Sequence, residues 1–194
     1  MQQAITTRGP ILAVTESPTI EQLQVWWAAM QNDDLSVAYA DSFPSTLTDF
    51  HREIVQGEKL LLLCLVDDQV AGALWLHDLL HRCDGTVSAG WFGGYFLPSY
   101  RGRLAVQLWQ AARQLWEVTR IVHIFSAVNV ANRRSQAFLT RAASFHRVGR
   151  FPDFTFFHGQ PTDCFIYTLH PEDAALAWEL ATARAARQML SAAL

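Results

Sequence analysis

The hydrophobic pattern of the chain changes period more than once. Over residues 17–30 the apolar positions recur at helical spacing, with Leu23, Trp26, Trp27 and Met30 on one stripe. Ser17, Pro18 and Thr19 cap that helix, and Glu21 stands in its first turn. A loose start over residues 1–10 and a short strand at 11–15 precede it. A second helix follows Ser45 over residues 47–56, with Phe50 and Ile54 on one side. Residues 60–66 then run apolar without interruption, which suits a strand buried on both faces. The turn at Asp67, Asp68 and Gln69 leads into a strand at 70–77, and a second turn, over 80–85, leads into a third at 86–97.

Beyond this meander, a helix is expected over 102–116, with Leu104, Leu108, Ala111, Ala112 and Leu115 facing inward. A strand at 121–128, a helix at 131–143 and strands at 145–148 and 164–169 follow. Pro171 opens an Ala-rich helix that runs to residue 194. This order predicts an α/β domain whose mixed central sheet is flanked by helices. No linker or repeat divides it: a flexible N-terminus (1–10), one domain (11–170) and a C-terminal helix (171–194) packed on that domain. The stretch 150–161 carries Phe151, Phe154, Phe156 and Phe157 and reads as an insertion, either a lid or a dimer contact.

One segment carries chemistry. Gly93 to Leu97 ends an apolar strand, Pro98 stops it, and Arg101, Gly102 and Arg103 form a basic turn opening into a helix. Helix N-termini present unpaired N–H groups and a positive dipole end, and arginine grips phosphate through two parallel hydrogen bonds. The segment therefore reads as a phosphate site. Gly93 and Gly94, inside a strand, read as a bulge or as a place where a ligand approaches the backbone.

In this order, residues 97–103 and the stretch Asn132-Arg133-Arg134-Ser135 leading to Ser144-Phe145 resemble the GNAT N-acetyltransferase superfamily over residues 11–170. The resemblance implies the GNAT-like acyl-CoA N-acyltransferase fold and a transfer of an acyl group from acetyl-CoA or another acyl-CoA to an amine, on a small molecule or a protein. It implies that Arg101, Gly102, Arg103, Leu104, Ala105 and Val106 hold the coenzyme A pyrophosphate. Phe96 and Leu97 would pair with the pantetheine arm, and Asn132 would fix the arm or the adenylate side. Leu104 and Val106 stand where the family has small residues, Ser144 where it has glycine, and the Asn132 helix is one residue longer than usual.

The customary catalytic positions are empty. The strand at 86–97 has no carboxylate, and Phe138-Leu139-Thr140 lacks the tyrosine of many relatives. Tyr95 and Asn129 are the catalytic candidates left. His77, His81 and His123 read as surface or half-buried residues. Two alternatives stay open: a GNAT-fold binding or regulatory module without catalysis, and a structural protein that dimerises through its Trp- and Phe-rich surface.

Composition narrows the partners. The net charge of −3 on 194 residues argues against nucleic acid, and 14 of the 15 basic residues are arginine. Asp33, Asp34, Asp41, Asp49 and Glu53 gather near the first two helices, an acidic rim that suits a cationic acceptor. Three widely spaced cysteines make neither a metal set nor a disulfide framework. With no signal peptide or membrane-spanning run, a cytoplasmic protein and possible homodimer is expected.

Overall fold

Alternation along the apolar run explains why the sheet has helices on both faces. The computed structural model describes residues 3–5, 12–15, 18–32, 46–101, 121–157 and 160–170. The described strands are β1 (Gln3–Ile5), β2 (Leu12–Thr15), β3 (Leu60–Val66), β4 (Gln69–His81), β5 (Val87–Phe96), β6 (His123–Asn129), β7 (His146–Phe157) and β8 (Gln160–Leu169). They form one sheet in the order β1-β2-β3-β4-β5-β6-β8-β7. Among them only β5 and β6 run parallel; the other neighbours are antiparallel.

Successive side chains of β3 point to opposite faces. Leu61, Leu63 and Leu65 share one face with Ala73, Trp75 and Tyr95. Against them pack α1 (Ile20–Gln31), through Leu23, Trp26 and Met30, and α2 (Leu47–Val55), through Phe50. Trp26 is fully buried, edge-on to Trp75 at 5.6 Å between ring centroids. Leu62, Cys64, Leu74, Leu76, Phe92 and Phe96 occupy the other face, with Ile124, Leu139 and Phe145.

Both helices start as polar caps dictate. Thr19 accepts from the Gln22 backbone N–H while the Gln22 side chain accepts from the Thr19 N–H, a reciprocal capping box. Thr46 accepts from the Asp49 N–H at 3.1 Å. Lys59, the single lysine, is nearly buried between Glu53, at 2.8 Å, and the Phe50 ring.

Several expectations change. Residues 3–5, placed in a loose start, form an edge strand on β2. The expected insertion at 150–161 is mostly strand: β7 runs to residue 157, and a register shift between Phe151 and Thr155 takes up Pro152 and Asp153. Asp153 has φ 49°, a left-handed conformation that Asp tolerates better than most residues. β4 likewise continues past residue 77 to His81, bending at Asp78 (φ 48°). The helix expected at 131–143 is a short α3 (Arg133–Ala137) continued by a π-helical turn (Phe138–Ala142). Ser144 follows at φ 53°, and the Phe145 N–H reaches back to the Leu139 carbonyl at 2.8 Å. A left-handed residue closing a helix is usually glycine. The helices expected at 102–116 and 171–194, and Asp33, Asp34, Asp41 and Phe43, lie outside the described residues.

Candidate active site

β5 and β6 pair over three residues, Ala89 to Trp91 with His123 to Phe125, and then part. The next contact is made by a side chain: Ser126 Oγ donates to the Phe92 carbonyl at 3.1 Å. On its other side β5 stays in unbroken register with β4 from Trp91 to Phe96. The Leu97 N–H donates to Ala71 of β4 at 2.9 Å, so Leu97, Tyr95 and Gly93 turn their backbone groups toward β4. Phe92, Gly94 and Phe96 turn theirs toward the gap.

That alternation separates the two expected pantetheine partners. Phe96 faces the gap, although its carbonyl accepts from Arg101 Nε at 2.8 Å. Leu97 does not: its N–H serves Ala71 and its carbonyl accepts from Tyr100. Gly94 takes its place on the gap side, a parity that composition does not reveal. The expected bulge at Gly93 and Gly94 is absent, because the ladder with β4 has no shift there. Packing explains both glycines. A Cβ on Gly93 would lie 2.3 Å from the Trp75 ring, and one on Gly94 2.8 Å from Leu74 Cδ2. β5 keeps its register with β4 while its pairing with β6 ends at Trp91.

At the end of β5, Pro98–Tyr100 form a single 3₁₀ turn. The Arg101 guanidinium folds back over the Tyr95 ring, 5.2 Å from its centroid, so this arginine braces the strand end. Gly102, Arg103, Leu104, Ala105 and Val106 lie outside the described residues. Across the gap, Asn132 caps α3, its Oδ1 accepting from the Ser135 N–H at 3.1 Å. Asn129, at the end of β6, is buried; its Oδ1 accepts from the Ala131 N–H at 2.8 Å. Among the described residues its Nδ2 has no hydrogen-bond partner. A buried orphan donor is costly, and it is suited to a ligand carbonyl.

Tyr95 is buried under α1, and its hydroxyl donates to the Ala29 carbonyl at 3.1 Å. The residue that sequence reading undervalued is His77. It stands on β4 and pairs across strands with Trp91, the last β5 residue held by β6. Burial pushes the His77 pKa below the usual histidine value, partly offset by Asp78, whose carboxylate lies 2.9 Å from Nδ1. Lys59 lowers it further. A histidine held neutral accepts protons at physiological pH. Its signal in the sequence was an apolar strand running straight into a histidine at its expected end. Beyond it, Trp91 lies against Phe125 and Phe154, with Phe151 next to Phe154, in an aromatic wall across β5, β6 and β7.

Among the described residues, no group of three or more His, Cys, Asp or Glu is placed to hold a metal ion. No described helix is long and apolar enough to cross a membrane.

No protein-family model matches the sequence, and no curated protein matches it. Solved structures match the fold. Mycobacterium smegmatis RimJ in complex with CoA-disulfide superposes with a TM-score of 0.72 at 16% identity, covering 93% of this chain and 94% of that one. A RimL ribosomal L7/L12 α-N-protein acetyltransferase gives 0.64 at 15% identity, over 88% and 95%. Spermidine N-acetyltransferase from Vibrio cholerae, in complex with CoA and spermine, gives 0.68 at 13% identity, over 84% and 98%. The parting of two parallel strands between helical layers thus sits in a chain that has the GNAT acyl-CoA N-acyltransferase fold.

Proposed function

We propose that the chain is an acyl-CoA-dependent N-acyltransferase that moves an acyl group, acetyl in the first instance, to a small-molecule or protein amine. The observation that carries this reading is the gap between β5 and β6, onto which Phe92, Gly94 and Phe96 turn their backbone groups. An extended amide-bearing arm fits such a gap as an added strand, held by main-chain hydrogen bonds. Gly94 and Phe96 would hold the pantetheine arm, and the orphan Nδ2 of Asn129 would take a carbonyl at the mouth. The 101–106 turn would hold the pyrophosphate. Structures of the same fold carry CoA, which supports the choice of co-substrate.

The amine attacks the thioester carbonyl, loses a proton, and the coenzyme A thiol leaves. Fixing amine and thioester side by side supplies much of the rate. His77 is the candidate general base: its cross-strand neighbour Trp91 is the last β5 residue paired with β6, and burial favours its neutral form. Tyr95 acts as a positioning residue, since its hydroxyl is committed to Ala29. The wall of Trp91, Phe125 and Phe154 would receive the acceptor, and an ammonium group lies well over aromatic faces. Proteins of this fold act on different amines, among them ribosomal L7/L12 and spermidine, so the acceptor is proposed only as an amine.

A second reading, a binding module without catalysis, draws on that commitment of the Tyr95 hydroxyl and on Phe138-Leu139-Thr140, a stretch without a tyrosine. Release of free coenzyme A from acetyl-CoA across a panel of amines separates the two. Burial pushes the Cys64 thiol up to about 12 and the Cys164 thiol to about 11, while Cys83 is exposed. The thiol assay therefore uses a Cys83→Ser variant to remove the reactive background. Amine-dependent release that falls about tenfold or more in His77→Gln supports the enzyme. Binding of acetyl-CoA with no release on any amine supports the module.

A further inference from the structure

The second face of the sheet is not filled beneath α3. A groove of about 590 Å³ runs between α3 with its π-turn and the β7–β8 hairpin. A helix crossing a sheet ordinarily lays an apolar stripe on it. α3 instead turns Arg133, Gln136, Thr140 and Arg141 toward the strands, and β7 answers with Arg147 and Arg150. Four guanidinium groups thus line one groove of a chain whose net charge is −3.

Their partners differ. Arg150 is neutralised by Asp163, to which its Nε donates at 2.6 Å and its Nη2 also pairs. The Asp153 N–H and Arg150 hold the Asp163 carboxyl below its usual range, so that pair is fixed. Arg147 lies over the Phe165 ring, 4.6 Å from its centroid, which sets its plane. Among the described residues no carboxylate pairs with Arg133, Arg141 or Arg147. Like charges facing one groove repel, and an anion between them relieves the repulsion. Guanidinium forks match the oxygens of phosphate and bind them two at a time. The volume is that of a small-molecule site. Tyr167, buried at its base, closes the floor.

We propose that this groove binds a small phosphate-rich anion, at a site separate from the gap between β5 and β6. The helical segment divides its residues between the two: Leu139 packs in the core beside Phe92 and Phe96, whereas Arg133 and Arg141 line the groove. The assignment does not depend on acyl transfer, because none of its arginines serves the gap.

Titration calorimetry of the full chain with inorganic tripolyphosphate at low salt tests it. Expected is one saturable site whose affinity falls about tenfold or more in Arg141→Gln/Arg147→Gln, and about threefold in Arg133→Gln. The site is expected to remain when the protein is saturated with coenzyme A, and to weaken as salt rises. All three arginines are exposed, so the variants are expected to keep the wild-type melting temperature. Arg141→Lys/Arg147→Lys is expected to retain part of the affinity, charge without the fork. Unchanged binding in the double glutamine variant, full displacement by coenzyme A, or binding of oligonucleotide but not tripolyphosphate would each overturn the assignment. So would the absence of binding at millimolar tripolyphosphate.

Discussion

β5 is closed along one edge and open along the other. Toward β4 it holds register through six residue pairs, from Gly72 with Phe96 to His77 with Trp91, and Gly93 and Gly94 leave room for Trp75 and Leu74. Toward β6 the ladder ends after three pairs, and a serine hydroxyl replaces the next backbone donor. The same strand is therefore continuous with one neighbour and paired with the other only at its start. The register with β4 fixes which of its backbone groups turn toward β6.

The contrast can be broken from either side. The largest effect is expected on the closed side, where Trp26→Ala removes a fully buried ring from between Trp75, Phe50 and Tyr95. Stability measured by urea unfolding should fall by about 3–5 kcal/mol. Gly94→Val acts on the open side. Its Cβ meets only the end of the Leu74 side chain, so about 1–3 kcal/mol is lost. Acetyl-CoA affinity should fall about tenfold or more, out of proportion to stability, because the branched side chain crowds the gap. Ser126→Ala removes the bridge to Phe92 and should lower stability by about 1 kcal/mol, with faster exchange of amides at the ends of β5 and β6.

The smallest effect concerns pH. The folded His77 pKa lies below the unfolded value because burial disfavours the charged ring. The unfolded chain then binds more protons in the window between the two values. Stability from this group is complete above the unfolded pKa of about 6.5 and is lost as pH falls through the folded one. As a base, His77 should give a rate that rises with pH and levels off below 6.5, the ordinary histidine value. Asp78→Asn should move that midpoint lower still, since Asp78 raises it. A midpoint that stays put would remove His77 from the reaction.

The two edges also differed in how far the sequence disclosed them. The closed side was legible: the apolar run at 60–66, the turn at Asp67 and Asp68, and the stripe of Leu23, Trp26 and Met30 all stand where periodicity put them. Such positions are read locally, from spacing and turn chemistry. β7 was cut short because Pro152 and Asp153 look like a loop, and only pairing with β8 carries the strand across them. The candidate site was legible as a place but not in its parity. Phe96 and Leu97 are adjacent in sequence and opposite in direction, which only the β4 register decides. The glycine pair was read as a bulge or a place of ligand approach; the room it leaves for Trp75 and Leu74 is a contact across the sheet that spacing does not disclose. His77 was expected to end its strand; β4 instead continues to His81 through an irregularity that no local signal announces.

Acetyl-CoA titrated calorimetrically into the wild-type chain and into Gly94→Val tests the open edge most directly. A single site with a dissociation constant on the order of micromolar, weakened about tenfold or more by the valine, is the expected result. No heat of binding at millimolar acetyl-CoA, or equal affinity in the two proteins, would contradict the role given to the gap between β5 and β6.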